Sequence, residues 1–114
     1  LEAMEACESA LRPGNPIGEV FDVYAETCDN SGMLAHRLNA TGYSMGTTFS
    51  PNWMDWPMLY HGNPVLAEEN MVFFLHMILM DSDSGIAMCF GHTVLVTDSS
   101  CERLSCHPLD LVVR

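Results

Sequence analysis

His76 and His92 are the residues whose chemistry is most at odds with their surroundings. His76 follows Phe74 and Leu75 and precedes Met77 and Ile78, while His92 stands between Gly91 and Thr93, just before Val94 and Leu95. A buried imidazole must be hydrogen-bonded, and desolvation favours its neutral form, which accepts a proton or holds a metal. If the two stretches pair as a hairpin closed around Ser84, positions 76 and 92 face each other with Cβ atoms roughly 5 Å apart. That spacing predicts a two-imidazole site on one face, and slippage by a single residue breaks it. The plainer reading makes each histidine a satisfied core or surface residue.

Other chemistry is thinly represented. Ser44 and Ser50 carry hydroxyls near a presumed strand, but no Gly-x-Ser-x-Gly elbow surrounds them. Asp81 and Asp83 resemble half of a calcium loop without its closing Glu, so turn chemistry explains them. Cys101, Cys106 and His107 lack the second ligand pair that a zinc site needs. Gly42 and Gly46 lack the Lys and the strand-to-helix context of a phosphate loop, so no nucleotide cofactor is expected. The sequence leads to an expectation of no cofactor and no bound metal.

Composition narrows the partners. Fifteen acids oppose four Arg and no Lys, for a formal charge of −11, which repels nucleic-acid phosphates and anionic membrane surfaces. No apolar run reaches the length of a membrane span. Five cysteines, an odd set without Cys-x-x-Cys spacing, fit a reducing cytoplasm. A chain of 114 residues holds one modest domain, and it starts in what reads as the middle of a helix, so residues 1–114 are expected to form a single partial domain.

The elements that must position these side chains follow from periodicity. Leu1, Met4, Cys7 and Leu11 recur at helical spacing until Arg12-Pro13-Gly14 stops them. Asn15 is placed as a cap and Pro16 at the first position of a second helix, whose Ile17, Val20, Phe21, Tyr24 and Cys28 share one face. Met71–Met80 and Ile86–Val96 read as two long strands joined by the turn signal Asp81-Ser82-Asp83-Ser84-Gly85. Shorter strands are predicted over Gly42–Phe49 and Glu102–Leu104, giving an α+β class with two helices on one face of a curved antiparallel sheet. Between them, Ser50–Glu69 interleaves Pro51, Pro57, Gly62 and Pro64 with Trp53, Trp56, Tyr60 and His61, a loop suited either to recognition or to closing the sheet.

Three ordered stretches resemble the C-terminal half of the pita-bread fold shared by methionine aminopeptidase, aminopeptidase P, prolidase and creatinase. Gly42-Tyr43-Ser44-Met45-Gly46 resembles that family's Gly-His-Gly-x-Gly strand. Met71-Val72-Phe73-Phe74-Leu75-His76-Met77 resembles its Met-Val-Phe-x-x-Glu-Pro strand, and Gly91-His92-Thr93-Val94-Leu95-Val96-Thr97 its Glu-x-Thr-x-x-Val-Thr strand. The metallopeptidases place one His and two Glu metal ligands on these strands. The matching positions here are Tyr43, His76 and Gly91, and a further histidine that contacts substrate falls at Ser50. By resemblance the metal ligands are not retained, and the family's remaining two, both aspartates, fall before position 1. Creatinase-like and ectoine-hydrolase-like relatives imply hydrolysis of a C–N bond in a small polar amide, amidine or dipeptide-like substrate without metal, by a protein that forms a homodimer through its full length.

In this reading His76 is the general base or proton shuttle, His92 its partner, and Tyr43 the hydrogen-bond donor to a developing oxyanion. Ser50, Trp53, Trp56 and His61 line the substrate. The 114 residues alone are expected to be inactive. The alternative is a catalytically silent pita-bread module that binds a partner or dimerises.

Overall fold

The computed structural model describes residues 1–46, 48 and 51–110. Helix α1 spans Glu2–Ala10 and α2 Ile17–Asn30, followed by strands β1 (Gly42–Ser44), β2 (Asp55–Met58), β3 (Val72–Asp81), β4 (Ile86–Val96) and β5 (Cys101–Arg103). The five strands form one antiparallel sheet in the order β2-β1-β3-β4-β5, so the long hairpin lies at its centre.

Both helices bury their apolar stripes on the same face of this sheet. Met4, Cys7 and Leu11 from the first helical segment join Ile17, Val20, Phe21 and Tyr24 of α2 over Phe73, Leu75, Met77, Val94 and Val96. Odd-numbered residues of β3 and even-numbered residues of β4 therefore point into the core, as the two-residue repeat of a strand requires. Side chains such as Phe73 and Leu75, fully buried, stabilise the packing by about 2 kcal/mol each. The opposite residues, among them Phe74, His76, Gly91 and Thr93, lie on the face turned away from the helices, the open face.

Four features differ from the sequence expectations. Pro16 is the N-cap rather than the first helical residue, because its extended ψ of 131° precedes the helix, and Asn15 instead donates its side-chain amide to the Ala10 carbonyl at 3.0 Å. The β1 strand ends at Ser44, where a register irregularity against β2 interrupts the ladder. The loop expected from Ser50 to Glu69 contains a strand, β2, which tolerates Pro57 because it lies at the sheet edge. The fourth is the hairpin register, which decides the site.

Candidate active site on the open face of the sheet

The turn between β3 and β4 holds four residues, Ser82 to Gly85, with Asp81 paired to Ile86. Asp81 organises it, accepting the Ser84 hydroxyl at 2.6 Å and the Asp83 amide at 3.1 Å, while Gly85 takes the left-handed φ of 70°. An even loop centres the hairpin between Asp83 and Ser84, not on Ser84. His76 consequently pairs with Gly91, and His92 with Leu75. One residue of register sends a side chain to the other face, so the expected His76–His92 pair is not formed.

His92 points into the helical side. It is 2% exposed, and its Nδ1 lies 3.1 Å from Glu8 Oε1 on α1. Arg103 of β5 donates to both oxygens of the same carboxylate, Nε at 2.7 Å and Nη2 at 2.5 Å, and the Cys101 thiol donates to the Glu8 carbonyl at 3.2 Å. Burial pushes the Glu8 carboxyl up, but the hydrogen bonds from Arg103 and His92 outweigh it and hold the group below the usual carboxylate range. This cluster staples α1 to β4 and β5. Nearby, burial pushes the Cys7 thiol up to about 12, which makes it an inert core group.

His76 lies on the open face among rings. Its imidazole is 5.0 Å from the Phe74 ring and 6.4 Å, edge-on, from the Tyr43 ring, and Tyr43 and Phe74 are 5.6 Å apart. Pairing of Tyr43 with Phe74 across β1 and β3 creates this arrangement. The Trp53 indole N–H donates to the Tyr43 hydroxyl at 3.3 Å. Because the phenol oxygen accepts that bond, its own proton stays available to a second acceptor.

Three of the predicted site residues, Tyr43, His76 and Trp53, are thus brought together. Trp53 and Trp56 are 69% and 68% exposed, and Trp56 stands on the edge strand β2. His61 is placed elsewhere, its Nδ1 2.8 Å from Asp22 Oδ1 on α2. Ser50 lies outside the described residues. Glu8, Arg103 and Phe74 were not anticipated. Phe74 had a legible signal, since it precedes His76 by two residues and must share its face; Glu8 and Arg103 had none, because their meeting spans 95 positions.

The metal pair that the resemblance implies does not fit these residues. Its three strand positions offer a phenol, an imidazole and no side chain at all. A Cβ built at Gly91 would lie 2.5 Å from Phe74 Cζ and 2.6 Å from the Leu75 carbonyl oxygen. Among the described residues no group of three or more His, Cys, Asp or Glu is placed to hold a metal ion, and no helix is long and apolar enough to cross a membrane.

With this geometry in hand, comparison with known proteins is specific. Ectoine hydrolase of Halomonas elongata is 26% identical over 115 residues, a match that takes in 100% of this chain and 28% of that protein. Dipeptidase PepE from Mycobacterium ulcerans has a TM-score of 0.87 at 19% identity, covering 96% of this chain and 28% of its own. The X-Pro aminopeptidase from Thermotoga maritima has a TM-score of 0.85 at 18% identity, covering 96% and 30%. The chain therefore spans under a third of the length of these relatives and carries the fold of part of a pita-bread domain. Residues 1–98 match the model of metallopeptidase family M24, and the chain belongs to that family.

Proposed function

We propose that the intact protein hydrolyses a C–N bond in a small polar amide, amidine or dipeptide-like substrate, using the open face and no bound metal. The observation that carries this reading is the neighbouring placement of His76 and Tyr43 with the Tyr43 oxygen already engaged by Trp53. His76 moves a proton, to or from water and the leaving nitrogen. Tyr43 donates its phenol proton to the oxygen that gains charge as the carbonyl or amidine carbon becomes tetrahedral. Trp53 holds the phenol rotor in that orientation and, with Trp56, covers an apolar part of the substrate. His92 has no place in this proton path, since it faces the helices and is bonded to Glu8.

The names of the relatives, a hydrolase and two peptidases, support the reaction class. Five unpaired thiols accord with a reducing cytoplasm. On this reading the 114 residues supply one wall of the site and turn nothing over alone. The deciding experiment is His76→Ala in the full-length protein, assayed against Xaa-Pro dipeptides, N-acyl amino acids and cyclic amidines. Turnover should fall at least tenfold with the fold retained, and a smaller loss removes His76 from the mechanism.

A second reading, a catalytically silent module that binds a partner or forms a homodimer, is favoured by a different region. Met80, Ile86 and Met88 leave large apolar surface exposed at the far end of the hairpin. A full-length protein that is inactive on every substrate tried and dimeric at all concentrations would support it.

A further inference from the structure

Gly91 is the point at which the open face departs furthest from a chelating surface. It lies directly across from His76, so any side chain there would stand beside the imidazole. A Cβ at this position would meet Phe74 Cζ at 2.5 Å, Phe74 Cε2 at 2.8 Å and the Leu75 carbonyl oxygen at 2.6 Å, all inside van der Waals contact. The Leu75 carbonyl is backbone and cannot withdraw, since its strand is held by β1 on one side and β4 on the other, and the Phe74 ring can swing aside only by giving up its contacts with Tyr43 and His76.

We infer that Phe74 and the Leu75 carbonyl close position 91 to every side chain, so that the surface around His76 and Gly91 lacks room for a divalent-metal site as well as the ligands for one. The titratable side chains on this face of β1, β3 and β4 are Tyr43, His76 and Cys89; the carboxylate of Glu102 on β5 shares the face but pairs with Leu95, four residues along from Gly91. The Tyr43 oxygen already accepts a hydrogen bond, and no carboxylate stands among the three, although oxygen-rich sites for manganese or cobalt depend on carboxylates. The inference goes beyond the hydrolase reading and does not rest on it. An inactive protein would sink that reading and leave this one standing, whereas an active protein with metal held by these side chains would overturn this inference and, of that reading, the metal-free step while leaving its reaction class.

The test uses the full-length polypeptide, dialysed free of metal and titrated calorimetrically with Mn²⁺, Co²⁺ and Zn²⁺ in turn. Wild type and Tyr43→Phe/His76→Ala/Cys89→Ser should give the same isotherm for each ion. Saturable binding of one equivalent or more that the triple variant loses overturns the inference. Independently, Gly91→Ala should lower the melting temperature by about 4 °C or more, or prevent folding altogether. An alanine accommodated with no change in melting temperature shows that the ring and carbonyl yield, and contradicts the closure.

Discussion

His76 and His92 sit on adjoining strands of one hairpin, and the two faces of the sheet make them different groups. On the helical face, His92 is enclosed and shares the Glu8 carboxylate with Arg103, three elements meeting in one charged knot. On the open face, His76 is half-buried among Phe74 and Tyr43, with no charged side chain bonded to it among the described residues, and the Tyr43 edge of the cluster is tied to the Trp53 indole. The first arrangement spends an imidazole on holding helix to sheet. The second leaves one accessible to a ligand. Residue type alone does not separate a histidine that braces the fold from one that a ligand can reach; the side of the sheet does.

The difference can be broken from either face. The largest effect is expected for His92→Ala in the intact protein, which empties a buried site and leaves Glu8 with Arg103 alone, at a cost of about 3 kcal/mol. Denaturant unfolding should record that loss while turnover stays within twofold of wild type. A tenfold fall in turnover with unchanged stability would exchange the roles of the two histidines.

A smaller loss is expected for Glu8→Gln, about 1 kcal/mol at neutral pH. Its diagnostic is the acid limb. The folded carboxyl is held below its ordinary value of 4.5, so the unfolded chain takes up a proton first as pH falls. The stabilisation is present above that value, declines as pH drops below it, and is gone once pH passes the lowered folded value. Stability of the Gln variant measured across this window should fall less steeply than wild type. An identical acid slope would mean that Glu8 is not the group responsible.

The smallest effect sharpens the open face. Trp53→Phe removes the indole N–H but keeps an aromatic ring, leaving the Tyr43 hydroxyl free to rotate. Turnover should fall about threefold, as for a neutral hydrogen bond lost, with no change in melting temperature. A change confined to KM would leave Trp53 its substrate contact and remove its part in holding the phenol.

Much of this architecture is legible in the residues. The apolar run from Met71 to Met80, the turn signal after it and the run from Ile86 to Val96 define the central hairpin, and two apolar stripes at helical spacing define its cover. The three positions that the resemblance aligns with ligand positions, Tyr43, His76 and Gly91, lie on one face of the sheet. What periodicity could not supply was the parity of a four-residue turn. Asp81 closing on Ser84 shifts the pairing by one position, and in a two-residue repeat that error moves His92 from one face to the other. The strand at Asp55–Met58 was hidden by its proline and by its brevity, and the Glu8–Arg103 contact by its separation along the chain.

The most direct single measurement is turnover of the intact protein after exhaustive dialysis against a strong chelator, with residual metal quantified in the same sample. If imidazole and phenol carry the reaction, activity should remain within twofold of the untreated protein at well under a tenth of an equivalent of metal. Activity that disappears on dialysis and returns with one or two equivalents of manganese or cobalt would contradict it.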